Sequence, residues 1–413
     1  MQEMKDSGMI RLKYVVDIFG RIGFRGYTEQ DLVDENEGAI TLSPSNIQNM
    51  KMDYSKCSFL TWQKYYESPE IKIKNGDVLF VKTGSTYGKV GYVENLPMEA
   101  TINPQLVVFK NISMNSKLLF YMLQMSFVKD QCELAVVGGT IPTMSQVKIG
   151  NIYIPFPSLA EQQRIAEFLD RECGKIDGLK ADIQAQIDTL EQYKRSVITE
   201  AVTHGLNPSA PMKDSGIPWV GKTPEYWKVG RIGGLYELRN QKVSDKDFMP
   251  LSVTMKGILP QLETAAKTND GDNRKLVRVG DFAINSRSDR RGSCGISDYD
   301  GSVSLINTIL KPRNRMNAKY YNWLFHTPMF ADEFYKWGHG IVDDLWTTNW
   351  SEMKRISIPL PPIDEQQEIA DYLDNKCAAI EQIIADKKSQ IETLDGYKKS
   401  LIFEYVTGKK EVV

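Results

Sequence analysis

The sequence predicts an α+β chain: two tandem mixed α/β domains, separated and joined by two long antiparallel coiled-coil helices in a pseudo-twofold internal repeat. Three observations predict it. Ile154–Thr203 and Ile358–Thr407 align without a gap at a constant offset of 204, with 25 of 50 positions identical. Within each copy, apolar residues recur at alternating spacings of three and four, the period of a helix that buries one stripe. The regions between the copies mix short apolar runs with turn residues, the pattern of compact mixed domains.

Each boundary has a local reason. Ser158 followed by Glu161, just after Pro155 and Pro157, reads as a capping box that opens the first helix. Gly205 and Gly408 stand where a left-handed cap would close the two helices. The first seam runs through Ile165, Leu169, Ile176, Leu179, Ile183, Ile187, Leu190 and Val197, and the second through Ile369, Leu373, Ile380, Ile383, Ile391, Leu394 and Leu401. Gly174, Gly178 and Gly396 each cost such a helix about 1 kcal/mol, so mutual pairing has to supply the stability. Packing of each helix on its own domain is the alternative use of the same stripe. The expected division is 1–157, a first domain; 158–205, a central helix; 206–361, a linker and second domain; and 362–413, a C-terminal helix.

Inside the domains, Val78–Val81, Leu106–Phe109 and Val303–Ile306 read as strands, and Lys117–Val128 and Ala318–Phe325 as short amphipathic helices. The offset of 204 also aligns Gly76-Asp77-Val78 with Gly280-Asp281-Phe282. Met4–Gly8 recurs as Met212–Gly216, after which only the second copy carries the Trp/Pro-rich stretch Ile217–Trp227.

Charge and composition narrow the function classes. The net charge is −2, but Ser158–His204 holds −3 and Pro362–Val413 holds −4, which leaves +5 on the rest. The domains are therefore mildly basic and the helices mildly acidic. That suits a protein that shares its phosphate contacts with partners better than one that grips nucleic acid by charge alone. The five cysteines are scattered, with no disulfide or Cys-x-x-Cys metal spacing, and the three histidines make no ligand pattern; no metal site is expected. The N-terminal residues lack the apolar core of a signal peptide and no run is long enough to span a bilayer, so a cytoplasmic protein without a membrane partner is expected.

No catalytic set stands out. Gly84-Ser-Thr-Tyr-Gly88-Lys89 has three residues between its glycines, one short of a phosphate loop, and Val90 where a Ser or Thr should follow. Asn103-Pro-Gln-Leu106 departs from the Asn-Pro-Pro-aromatic motif of adenine methyltransferases at its last two positions. Three segments instead suit nucleic acid. Arg21, Arg25 and Tyr27 lie on a glycine-rich stretch, and Lys82, Thr83, Ser85, Thr86, Tyr87 and Lys89 follow a strand. At the matching place in the second half stand Ser286, Arg287, Ser288, Arg290 and Arg291. Arginine can grip guanine O6 and N7 with two bonds, whereas Ser, Thr and Lys suit phosphates and single base edges. A solvated loop with ordinary surface charge is the competing account of any one of these residues.

The helical hallmark Glu-Gln-Gln-x-Ile-Ala-x-x-Leu-Asp occurs at Glu161–Asp170 and Glu365–Asp374, and each follows a proline, Pro157 or Pro361. With the opening Met212-Lys-Asp-Ser-Gly-Ile-Pro-Trp-Val-Gly and Trp227, it resembles the specificity subunits of type I restriction–modification systems. The resemblance covers the whole chain in the expected order, except that the first copy lacks the Trp-containing stretch. It implies target recognition domains that each read one half of a bipartite double-stranded DNA site, with the helix pair setting the gap. It implies two modification subunits that methylate adenine with S-adenosylmethionine, and motor–nuclease subunits that use ATP and Mg2+. This chain would bind no cofactor and catalyse nothing. A stand-alone sequence-specific DNA-binding protein and a coiled-coil scaffold are the alternatives.

Overall fold

A computed structural model of the chain describes residues 8–35, 37–48, 50–136, 141–261, 271–313, 316–340 and 346–412, without the side chains of Phe24 and Ser288. The chain forms two compact units, Met1–Ile183 with Lys388–Val413, and Gln184–Lys387. Each unit contains one mixed domain and a length of both long helices.

The long helices run over Leu159–His204 and Ile363–Val406. The first opens as its sequence indicates: the Glu161 carboxylate accepts from the Ser158 N–H (2.9 Å) and from its hydroxyl (2.6 Å). Those bonds hold the Glu161 carboxyl below its usual range. The second copy has Pro362 at the position of Ser158 and no hydroxyl to offer. Its Glu365 accepts instead from Trp227 Nε1 (2.9 Å) and the Tyr226 hydroxyl (3.0 Å), at the end of the stretch that only this copy carries. Gly205 and Gly408 close the helices with φ of +77° and +70°.

In each unit the two helices run antiparallel. In the first, Phe168 packs against Tyr405 with tilted rings, Asp177 accepts from Lys398 Nζ (2.7 Å), and Lys180 pairs with Asp395. In the second, Lys387 Nζ donates to Gln186 Oε1 and Lys194 pairs with Glu381. Ile165, Leu169, Ile176, Ile187, Val197, Ile369, Leu373, Ile380 and Leu401 are buried. Ile183, Leu190, Ile391 and Leu394 are half-buried. Leu179 and Ile383 correct the expected seam. They are repeat-equivalent, yet 53% and 44% exposed, because the next residue takes the inward place in each helix: Lys180 pairs with Asp395 across the seam, and Ile384 is buried. Both uses of the stripe coexist. Ile165, Leu169 and Cys173 enter the core of the first domain together with Leu401 and Ile402 of the partner helix. Ile369, Leu373 and Cys377 enter that of the second with Val197 and Val202.

The first domain is built on an antiparallel sheet ordered Asp17–Gly20, Leu106–Lys110, Val78–Val81, Val90–Tyr92, and the second on Tyr236–Leu238, Asn307–Pro312, Phe282–Asn285, Cys294–Ile296. Val78–Val81 and Leu106–Phe109 are buried throughout, as uninterrupted apolar runs require. Further sheets flank both: Ala100–Ile102, Gly38–Leu42, Ser58–Thr61 and Leu32–Val33 in the first domain, and Lys242–Val243, Arg274–Val277 and Gly301–Val303 in the second. Two expected elements differ. Lys117–Val128 is two helices, Ser116–Met122 and Ser126–Ala135, and the strand at Val303 ends there instead of running to Ile306. Ala318–Phe325 is the helix anticipated. Gly76 and Gly280 both adopt positive φ, and Asp77 and Asp281 accept from the N–H three residues earlier, at Lys74 and Arg278.

Two packing features carry measurable consequences. Gln366 is 4% exposed; its Nε2 donates to the Pro361 carbonyl (2.8 Å) and its Oε1 accepts from the Asn317 N–H (2.9 Å). Gln366→Ala strands both buried backbone groups, so chemical denaturation should show a loss of about 1–3 kcal/mol in the second unit. His326 is half-buried, its Nδ1–H donating to the Asn322 carbonyl (2.7 Å) and its Nε2 3.7 Å from Cys294 Sγ. Burial lowers its pKa below the usual 6.5. The unfolded chain then binds the proton more readily than the folded one, so this contribution to stability is full above about pH 6.5 and is lost as the pH falls toward the lowered value. His326→Gln should flatten the acid limb of a thermal-melt pH profile; an unchanged limb would assign it to other groups.

Candidate nucleic-acid interface

Strand order brings the predicted segments of the first domain together. Gly20 pairs with Val107 and Val81 with Leu106, so the two strands end side by side across one central strand. The Arg21–Thr28 stretch and the Lys82–Lys89 hairpin therefore leave the same end of the sheet.

Their residues divide by burial. Arg21 is 5% exposed. Its Nε donates to the Ile102 carbonyl (3.1 Å), its Nη2 to Thr101 Oγ1 (3.0 Å) and its Nη1 to the Arg25 carbonyl (3.3 Å), while the guanidinium stacks on Tyr27. Burial lowers its pKa, an effect that Tyr27 and the nearby Glu70 and Glu67 oppose. Arg21 is therefore engaged inside its own domain and shapes the loop from within, where the sequence predicts an exposed contact residue. Arg25 reaches Glu70 at 3.4 Å and, with Tyr27, stays partly accessible.

The Lys82–Lys89 hairpin joins strands Val78–Val81 and Val90–Tyr92. A strand, not a helix, follows Lys89, so the segment lacks the helix N-terminus that a phosphate loop needs. Gly84 (φ +105°) and Gly88 (φ +80°) make its turns. Behind it, Thr83 bridges to Thr143, their hydroxyls 2.7 Å apart, and the Gly84 N–H donates to the Pro142 carbonyl (3.0 Å). Ser85 and Thr86 are exposed at the tip, and Tyr87 packs partly against the core. Lys89 Nζ donates to the Pro44 carbonyl (3.5 Å), and burial lowers the Lys82 pKa.

The second domain repeats this construction at the same offset. The loop between Phe282–Asn285 and Cys294–Ile296 has Gly292 (φ +73°) where the first has Gly88, and Arg287 bridges to Thr347 as Thr83 does to Thr143. Ser286 is buried with its hydroxyl 2.9 Å from Thr308, which removes it from the expected contact set. The Ser288 side chain lies outside the described residues. Arg287 and Arg290 flank Asp289 at 3.4 and 3.7 Å, while Arg291 pairs with Asp332 (2.9 Å) and lies over Tyr335. Arg290 is the most open, with a side chain 68% exposed. Surface pairs of this kind are worth about 0–1 kcal/mol, so a phosphate or base edge can replace the carboxylates at small cost. The sequence reading missed Thr143 and Thr347, although their separation of 204 was available to it.

Among the described residues no cluster of His, Cys, Asp or Glu could hold a metal ion, and no helix is long and apolar enough to cross a membrane. A hairpin of hydroxyl and amine side chains in one domain and of hydroxyl and guanidinium side chains in the other, each at the end of a sheet, is chemistry suited to a nucleic-acid-binding protein of two modules. The signature described as the type I restriction modification DNA specificity domain matches residues 24–189 and again 224–393. The chain belongs to that family, and its role is DNA sequence specificity. It is 25% identical over 365 residues to the type I restriction enzyme MjaVIII specificity subunit of Methanocaldococcus jannaschii, covering 83% of this chain and 81% of that one. With the EcoKI specificity subunit of Escherichia coli K12 it shares 21% identity over 393 residues, 88% of this chain and 81% of the other. A solved chain from work on complex assembly and conformational transition of the type I R-M system superimposes with a TM-score of 0.69, at 16% identity, over 96% of this chain and 97% of that one. That likeness bears on the fold.

Proposed function

We propose that each recognition domain reads one half of a bipartite double-stranded DNA site through its sheet-end hairpin, Lys82–Lys89 in one and Ser286–Ser293 in the other. The long helices set the unspecified gap between the half-sites and dock the modification subunits. The observation that carries this reading is the recurrence of one hairpin, with one backing bridge and one left-handed glycine, at a constant offset of 204. Chains that merely scaffold have no need of two such loops with different side chains.

Exposed apolar residues also recur at that offset, Leu179 with Ile383 and Tyr193 with Tyr397. Equivalent patches on both helices suit two copies of one partner, here two methyltransferase subunits. Those subunits bring S-adenosylmethionine and methylate adenine N6, and the motor–nuclease subunits bring ATP and Mg2+. This chain supplies the address and leaves the chemistry to them, in the cytoplasm where the DNA is.

Base-resolution methylation mapping of a host with and without this chain tests the proposal. A two-part adenine-methylated motif with a fixed spacer, present only with the chain, is the expected result. A contiguous motif, or none, would overturn it. Tight, sequence-specific gel shifts by the purified chain alone would favour a stand-alone DNA-binding protein.

A further inference from the structure

The hallmark segments carry a bond pattern that neither helix pairing nor base reading requires. In the first unit, the Asn115 N–H donates to Gln162 Oε1 (2.9 Å) and Asn115 Nδ2 to Gln163 Oε1 (2.8 Å). The Asn115 Oδ1 meanwhile caps the domain helix Ser116–Met122 by accepting from the Leu118 N–H. Two turns along the long helix, the Asp170 carboxylate accepts from the Tyr121 hydroxyl (3.0 Å) and lies 3.1 Å from Lys117 Nζ. The second unit repeats every contact. Asn317 donates to Gln366 Oε1 (2.9 Å) and Gln367 Oε1 (2.7 Å) and caps Ala318–Phe325. Asp374 accepts from Trp323 Nε1 (2.9 Å) and Lys319 Nζ (3.0 Å).

The donors differ in kind. A phenol in one domain and an indole in the other reach the same carboxylate oxygen, and the matching domain residues are offset by 202 while the helix residues are offset by 204. The bonds are retained although the domains have diverged around them. Apolar burial is non-directional and tolerates rotation of a domain about a helix, whereas hydrogen bonds fix an angle. The anchored positions, 162, 163 and 170, span about 12 Å of helix at about 1.5 Å per residue, enough to resist tilt as well as spin.

We propose that Gln163 and Asp170, with Gln367 and Asp374, form an angular latch that sets the rotational phase at which each recognition domain presents its hairpin, and thereby selects the spacer. This rests on the bipartite reading above. Helix length fixes a distance, but each added base pair also turns the next half-site by about 35°. A reader that accepts one spacer and rejects its neighbours must hold angle as well as distance. Gln163, Asp170, Gln367 and Asp374 are positioning residues that touch no base.

The test is methylation mapping of the full chain with its modification subunits, comparing Gln163→Ala, Asp170→Ala and Asp170→Asn with the unaltered chain. Gln163 and Asp170 are exposed, so folding is not at stake. Both alanine variants should keep the half-site sequences, methylate sites with a spacer one base pair longer or shorter, and lose preference for the native spacer, about tenfold for Asp170→Ala, the scale of one charge-assisted bond, and about fivefold for Gln163→Ala, the scale of a neutral one. Asp170→Asn, which keeps an acceptor for Tyr121, should restore most of that preference. A single unchanged spacer in the alanine variants, even with a lowered melting temperature, would overturn the latch, as would altered half-sites with the old spacer. Failure of the bipartite reading itself shows separately, as the absence of a two-part motif with the unaltered chain.

Discussion

Inserting one heptad into each long helix, after Gln186 in the first and after Lys387 in the second, should lengthen the spacer of the recognised site by about three base pairs and leave both half-site sequences unchanged. The two points face one another, since Lys387 Nζ donates to Gln186 Oε1, so the antiparallel register is preserved on both sides. Seven residues add about 10 Å of helix. At about 3.4 Å per base pair that is three steps along the duplex. Three steps also turn the duplex by about 105°, while a heptad drifts by only about 20°, so methylation should be weaker as well as displaced. An insertion in one helix alone slips the seam and should cost assembly instead. Altered half-sites at the old spacing, read by methylation mapping, would refute the ruler.

Replacing Arg290 with alanine is the second large effect. Arg290 is the most exposed guanidinium of its hairpin and is held only loosely by Asp289. If it reads a guanine, its loss relaxes one base position of one half-site and costs about 1–3 kcal/mol, roughly five- to more than a hundredfold in binding. If it contacts a phosphate, binding to all sequences weakens equally and the salt slope falls by about one. Competition binding across single-base variants of the site, repeated at two salt concentrations, separates these outcomes. Arg291→Ala should have a smaller effect, because Asp332 and Tyr335 already engage that side chain. Arg21→Ala should lower stability without relaxing any one base, because its guanidinium is committed to three acceptors inside the domain.

Much of this architecture was legible because its signals are local or periodic. The capping box at Ser158, the left-handed glycines at 205 and 408 and the apolar stripe each reflect contacts within a turn or two of helix. The match between the Lys82–Lys89 and Ser286–Ser293 hairpins was visible through the repeat alone. What the sequence hid depends on residues far away in the chain. Arg21 and Ser286 look like surface residues until strands bring Thr101, Ile102 and Thr308 beside them. The break in Lys117–Val128 has neither proline nor glycine to announce it, and tertiary packing of Leu123 and Met125 decides it. Leu179 and Ile383 satisfy the spacing rule yet face outward, because a spacing rule says nothing about where the partner helix lies. The flanking sheets use strands of two to five residues, too short for alternation to register.

Glu161 and Glu365 occupy the same place in two near-identical helices and serve different hosts. The first is satisfied by its own neighbour Ser158, the second by Trp227 and Tyr226. This makes the halves unequal as modules for exchange. A domain grafted ahead of the first helix can be joined at Pro157, because the helix start completes itself. One grafted ahead of the second must either be joined downstream of Trp227, so that the resident Tyr226 and Trp227 stay, or bring equivalents of both; Pro362 offers no substitute, and a graft that replaces that stretch without them would leave Glu365 with no donor at the root of the helix. The first helix is therefore the more tolerant of the two to a change of what precedes it.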